Sequence, residues 1–387
     1  MIKLKMYPAS EGDAFLVSFD NGSTNIIIDM GLQDTYQNYI KSDLVELNAQ
    51  GKKIDLMVIT HVDNDHILGA VDFIKGNGAN SDIIKVQEVW HNSYRHLQFS
   101  KEEKPLDQDE VSTLKQIINQ NMSVSTKSGL SDVSINKGIT LAGLLYGYNY
   151  SWNDKFDGKA VLKQSNVIEI APDLTIRIIS PNTKNLGTLS AKWKVKLESE
   201  KYNFTLNDDE IFDDAFEQYM RMPEFFSETK DIARNEDRFT FDELVSLEGK
   251  DSSATNGSSI AFIMEFNCQK LLFLGDAHED IIYDELTSLK DSGYELDFEI
   301  VKISHHGSNN NISNRLLELV SSKRFLISTN GKHCHPDLGA IAKIIASGQE
   351  AEIITNYTHD KLEVFKSTLV KSQNKIKFIT TNEIIVE

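Results

Sequence analysis

The run VITHVDNDHILGA, residues 58–70, constrains this chain more than any other stretch. An apolar segment, IDLMVIT, stops at Thr60 and is followed at once by His61, Asp63, Asp65 and His66. A continuous apolar run of that length reads as a strand buried on both faces, and DHILGAVDFIKG behind it reads as a short helix. Strands buried on both faces belong to layered α/β sheets. Side chains at their C-terminal ends reach the sheet edge where such folds bind ligands. Carboxylate oxygens and neutral imidazole nitrogens are the donors that divalent cations take. The plainer reading of the same residues is a polar loop with a helix N-cap at Asp65.

The arrangement recurs along the chain. TNIIIDMG ends in Asp29, LLFLGD in Gly275-Asp276, FEIVKISHHGS in His305-His306, and RFLISTNGKHCHPD in a histidine-rich loop. The first hundred residues alternate β and α: IKLKMY, AFLVSF and TNIIIDMG as strands, GLQDTYQNYIKSDLVELNAQGKK as a helix, then IDLMVIT, a helix, and IIKVQEVWHN. NVIEIAPDLTIRIISPN predicts a hairpin turning at Pro172-Asp173, and SSIAFIMEFNCQKLLFLGD a second one. Helices are expected at about 312–320 and 337–348, and one or two strands in the tail KIKFITTNEIIVE. Residues 101–165 are polar and mixed, with a helix at DQDEVSTLKQIINQN. Residues 183–251 read as helical and acidic, with LNDDEIFDDAFEQYM and FTFDELVSLEG as segments. The ordinary reading is a solvated helical insertion. The functional one is a cap over a site or a partner-binding surface.

Composition narrows the function classes. The 387 residues carry a formal net charge of −18, which argues against tight non-specific binding to duplex DNA by phosphate neutralisation. Two cysteines, Cys268 and Cys334, cannot build a disulfide framework and read as free thiols. No stretch approaches the roughly 20 apolar residues of a membrane span. The opening MIKLKMYPAS has no apolar leader core, so a cytoplasmic location with no membrane partner is expected.

Taken together, His61-x-Asp63-x-Asp65-His66, then Asp276, then His305-His306-Gly307-Ser308 resemble the metallo-β-lactamase-fold hydrolases. Aspartate at the second position and SHHGS near the end are similar to the ComEC-like competence branch. EGDAFLVSF with NIIIDMG, IRIISPN and the HPD of 335–337 resemble that branch too. The resemblance covers about residues 1–95, 167–182 and 256–350. It implies an αβ/βα four-layer sandwich over 1–387, with the largely helical acidic insertion of 183–251 inside it. It also implies two divalent metal ions, Zn or Mn, at one sheet edge, where a shared water or hydroxide attacks an ester, amide or phosphodiester. By position, His61 and Asp63 fall to the first metal, Asp65, His66 and His306 to the second, and Asp276 bridges them. Asp65 would also orient the water, His305 would contact the substrate or support the ligands from behind, and His335 would serve as an acid or phosphate contact. Two departures stand out: many relatives have histidine where Asp63 stands, and Asn256 occupies the place of the third-motif histidine. His91, at the end of a strand, is a candidate substitute. His278 reads as a helix start, and a separate zinc site at His333, Cys334 and His335 would need further ligands.

The expectation is a metal-dependent hydrolase, a phosphodiesterase or nuclease acting on a small phosphodiester or single-stranded nucleic acid. One alternative is hydrolysis of another ester or amide at the same site. The other is a non-catalytic metal-binding module that meets a protein partner through the acidic insertion.

Overall fold

The computed structural model describes residues 1–98, 100–102, 104–125, 140–200, 205–221, 239–365 and 375–387. Two sheets face each other. One has six strands in the order Glu383–Val386, Ile2–Met6, Ala14–Phe19, Thr24–Met30, Leu56–Val58 and Val89–Trp90. The other has eight, in the order Lys377–Thr380, Glu352–Thr355, Arg324–Ile327, Ile300–Lys302, Gln269–Phe273, Ala261–Phe266, Leu174–Ser180 and Ile168–Ala171. The tail therefore serves both sheets, Lys377–Thr380 on the larger and Glu383–Val386 on the smaller.

Strand alternation explains the layering. Ile26 and Ile28 point between the sheets, where they join Phe262, Met264 and Phe273, whereas Ile27 faces outward with Met57 onto the Asn64–Asn77 helix. In the second sheet Phe262 and Met264 point inward while Ile263 packs outward against the helices Glu279–Asp291 and Leu338–Ala346. Both faces are apolar because both are covered, which is why these strands read as unbroken apolar runs. The result is helix, sheet, sheet, helix, the expected four-layer order. No described helix is long and apolar enough to cross a membrane.

Thr24–Met30, Leu56–Val58 and Val89–Trp90 run parallel, as do Gln269–Phe273, Ile300–Lys302 and Arg324–Ile327. Their C-terminal ends deliver Asp29, Thr60-His61, His91, Asp276, His305-His306 and Ser328. The two sheets meet there: Ile260 N–H donates to the Thr60 carbonyl over 2.9 Å.

Within 183–251, the described residues form the helices Thr183–Ser199, Glu210–Met220 and Phe241–Ser246. The remainder of the expected insertion, 201–204 and 222–238, lies outside the described residues. The Glu210–Met220 helix is not simply a solvated acidic face. Asp213 is buried, and its Oδ2 accepts from Arg95 Nε and Nη2 at 3.2 and 2.7 Å. Glu217 is fully buried and accepts from His91 Nε2 at 3.0 Å and from the Leu141 N–H at 2.9 Å. Its apolar side, with Phe212 and Phe216, forms a core with Trp193, Leu114, Tyr94 and Val62. Burial of paired acids, invisible to a charge count, corrects the solvated reading.

Candidate metal centre

Each metal-ligand candidate sits just past a strand. Asp63 takes the N-cap position of the Asn64–Asn77 helix, one turn-defining step before Asp65, and its carboxylate makes no cap bond. It lies instead 3.4 Å from His61 Nε2 and accepts from Thr255 Oγ1 at 3.3 Å. Asp65 and His66 start the helix and face back to the sheet edge. Gly275 has φ +51°, and a Cβ there would come within 2.3 Å of Ser259 Oγ. The turn thus requires glycine, and it aims Asp276 into the cluster.

Three imidazoles converge on one carboxylate oxygen. Asp276 Oδ2 is 3.8 Å from His61 Nε2, 3.5 Å from His66 Nε2 and 3.5 Å from His306 Nε2. Asp65 Oδ2 is 3.3 Å from His306 Nε2 and 3.7 Å from His66 Nε2. The other nitrogen of each ring is already held. His61 Nδ1 meets Thr60 Oγ1 at 3.0 Å, and that hydroxyl donates in turn to Asp29 Oδ2 at 2.8 Å. His66 Nδ1 meets the same Asp29 oxygen at 2.9 Å, and His306 Nδ1 meets the Ser328 carbonyl at 2.9 Å. These partners accept, so Nδ1 carries the proton and Nε2 keeps its lone pair.

Those Nε2 atoms, with Asp63 Oδ1 and Asp276 Oδ1, are buried without a hydrogen-bond partner among the described residues. Leaving so many buried polar atoms unmatched would be costly. Divalent cations match them: His61, His66 and Asp276, and likewise Asp65, His66 and His306, each offer donor atoms within 4.8 Å of one another. The electrostatics agree. Burial would raise the Asp276 carboxyl, but the imidazoles of His306, His66 and His305 hold it well below its ordinary range. Burial would likewise lower His66, and the carboxylates of Asp276, Asp65 and Asp29 raise it well above its ordinary value. A pocket that attracts positive charge this strongly suits metal ions, which replace the imidazole protons.

The structure therefore gathers His61, Asp63, Asp65, His66, Asp276 and His306. His305 lies beside them, with Nε2 4.0 Å from Asp276 Oδ2. Its Nδ1 is 3.5 Å from Asp251 Oδ2 and 3.1 Å from Asn311 Oδ1. His335 is buried with Nδ1 3.2 Å from Asp337 Oδ1, and its ring centroid is 5.3 Å from that of His305. Asn256 donates to Asp251 Oδ2 at 2.8 Å. His91 is not brought in: its Nε2 is taken by Glu217. His278 is the N-cap residue of the Glu279–Asp291 helix, with Nε2 2.8 Å from the Ser253 carbonyl. Cys334 is exposed, and no cluster of metal donors forms around it among the described residues. Sequence reasoning missed Asp251, Asp337, Thr60, Ser328 and Lys302. Of these, Lys302 had a visible signal, a lone cation inside an apolar strand.

Residues 8–122 match the family model described as Metallo-beta-lactamase superfamily. The fold is the metallo-β-lactamase fold. No curated protein matches the chain. Among solved structures, a CmlA beta-hydroxylase mutant is similar at 10% identity and a TM-score of 0.37, over 99% of this chain and 53% of that one. The chain thus spans about half the length of that protein. A diphosphatase from the PhnP family is similar at 10% identity and a TM-score of 0.32, with 84% of each chain covered. A protein of unknown function from Enterococcus faecalis V583 is similar at 8% identity and a TM-score of 0.28, over 98% of this chain and 87% of that one.

Proposed function

We propose that this chain is a dinuclear metal-dependent hydrolase that cleaves phosphodiesters, of the ComEC-like kind. The observation that carries the reading is the convergence of three Nδ1-pinned imidazoles on Asp276 Oδ2. His61, Asp63 and Asp276 would hold one ion, and Asp65, His66, His306 and Asp276 the other. Such ions acidify water and polarise the oxygen of the bond to be cut.

The protein's own groups supply orientation. Asp65 stands at the rim of the cluster, its side chain 20% exposed, where it can accept a hydrogen bond from the attacking water. His305 presents an imidazole N–H to an oxygen of a bound anion, while His335 beside it spends Nδ1–H on Asp337 and keeps Nε2 as an acceptor for a substrate hydroxyl or water. Asp251 and Asp337 fix the two rings. The His305 N–H beyond the ligand set favours a substrate that carries negative charge, which supports a phosphodiester over a neutral ester or amide. The helices Thr183–Ser199 and Glu210–Met220 share a core with Val62, inside the metal loop, and Asn64 Nδ2 donates to the Arg221 carbonyl at 3.1 Å. They act as a helical wall beside the metal loop that excludes a long duplex by its bulk and admits small or single-stranded phosphodiesters. With Asp63 and Asp276 as oxygen donors beside one imidazole, the first position suits manganese at least as well as zinc.

The test uses the full chain stripped with chelator and reloaded with Mn²⁺ or Zn²⁺. Bis-p-nitrophenyl phosphate, short oligonucleotides and plasmid are then assayed side by side. Cleavage of the first two, with manganese equal to or above zinc, is expected. Rapid plasmid cleavage overturns the cap argument, and no phosphodiester cleavage with either metal overturns the substrate class in favour of another ester or amide.

A further inference from the structure

Beneath the metal cluster lies a lysine that the proposed hydrolysis does not use. Lys302 ends the strand Ile300–Lys302 and is buried, as is Asp13. Its ammonium pairs with Asp13 Oδ2, donates to the Gly275 carbonyl at 2.9 Å, and stands 3.7 Å from Asp276 Oδ1. Asp13 in turn lies 3.4 Å from His306 Nδ1 through its other oxygen. A lysine taken out of water in this way is retained only where compensating charge holds it.

The charges around it can be counted. Five carboxylates lie against the three converging imidazoles: Asp13 on His306, Asp29 on His66, Asp63 on His61, Asp65 on His66 and His306, and Asp276 on all three. Two divalent cations supply four positive charges, which leaves one carboxylate unbalanced. Lys302 balances it. Moreover, Asp13, Asp276 and His306 offer donor atoms within 4.8 Å of one another, the spacing of a cation site, and the lysine ammonium already stands beside two of them.

We propose that Lys302 is a positioning residue, a built-in fifth positive charge that neutralises the five-carboxylate centre when two divalent ions are bound and so sets their affinity. This rests on the metal-centre reading, not on the substrate. In a low-dielectric interior one uncompensated charge is felt strongly by an ion a few ångströms away. Lys302→Met leaves the centre one charge too negative and tightens divalent binding. Asp13→Asn leaves it one charge too positive and weakens binding. The double variant restores the balance.

The experiment measures Mn²⁺ and Zn²⁺ affinity by competition with a chromogenic chelator, and stoichiometry by elemental analysis, on the full chain and the three variants. Wild type takes two ions. Lys302→Met binds at least about tenfold tighter, Asp13→Asn at least about tenfold weaker, and the double variant falls within about threefold of wild type. Equal affinities across the set overturn the proposal, and so does weakening in both single variants, because a merely structural pair gives that pattern. Should Lys302→Met fail to fold, the other two decide. A double variant restored relative to Asp13→Asn supports the charge argument, and one as weak as Asp13→Asn overturns it. A wild-type chain that binds no divalent ion overturns this proposal and the metal centre together. A two-metal chain inert toward phosphodiesters leaves it standing while the substrate reading falls.

Discussion

Glu217 anchors the Glu210–Met220 helix, and removing it should separate docking of the proposed cap from metal binding. Its carboxylate is fully buried and serves three elements at once. It accepts from His91 Nε2 at 3.0 Å and from the backbone of Leu141 and Ala142 at 2.9 and 3.3 Å. The last two are the opening N–H groups of the Leu141–Gly147 helix, whose N-cap residue Thr140 already spends its hydroxyl on Gly143 N. Burial raises the Glu217 carboxyl, and His91 and Arg221 more than offset this, so it is held charged. Glu217→Ala therefore leaves a buried histidine and two helix-start amides without their acceptor and removes one of the two carboxylates, with Asp214, whose charge faces buried Arg221. Breaking a buried charged pair costs about 3–5 kcal/mol, and losing the helix-start acceptor adds about 1 kcal/mol. For a chain of this size the unfolding entropy is about 0.8 kcal/mol per degree, so Tm should fall by about 5–7 °C. Glu217→Gln keeps one acceptor oxygen but turns an NH₂ toward the other donors, and should lose roughly half as much. Thermal melts of the metal-loaded chain read the stability, and elemental analysis should find the metal content unchanged. Oligonucleotide and plasmid cleavage, each relative to bis-p-nitrophenyl phosphate, should lose their discrimination. A Tm drop below about 1 °C, well under the cost of breaking one buried charged pair, would refute the anchoring argument.

Three further outcomes are expected. Asp276→Ala removes the oxygen shared by His61, His66 and His306, so it should abolish activity and release most bound metal, whereas His335→Ala should keep the metal and lose rate, as elemental analysis and turnover will read. Gly12→Ala would place its Cβ 1.8 Å from the Asp65 carbonyl oxygen and 2.8 Å from Asp65 Cβ; since backbone must shift, metal affinity by chelator competition should fall at least about tenfold. Burial pushes the Asp214 carboxyl up to about 6, above its unfolded value, so its stabilising contribution is present below about pH 4 and is lost as pH rises through 6. Asp214→Asn should flatten that slope in urea melts at pH 5 and 8, and stabilise the chain at pH 8 by no more than about 3 kcal/mol.

Much of the frame is legible because its physics is local. Strands covered on both faces must be apolar on both faces, so LMVI, AFIMEF and IVKI announce central strands, and the polar residues that end them mark the sheet edge. The hairpin over Ile168–Ala171 and Leu174–Ser180 follows from its turn, and the start of the Asn64–Asn77 helix from the motif before it. What holds the site is not local. Asp13 and Lys302 are far apart in sequence, and the Ser328 carbonyl that pins His306 leaves no trace in residue identity.

His91 and His61 show where sequence reading runs out. Both follow an apolar strand, and both are buried. The difference is in the second nitrogen. His61 spends Nδ1 on Thr60 and leaves Nε2 unmatched beside Asp276, while His91 spends Nε2 on a glutamate from a helix 126 residues away. A histidine becomes a ligand when the fold occupies one nitrogen and strands the other next to carboxylates, and it becomes an anchor when a distant acid reaches the second nitrogen first. That acid sits in a segment whose charge pattern reads as solvent-facing, because nothing local shows that Phe212, Phe216 and Trp193 will draw the helix inward and carry Glu217 with it.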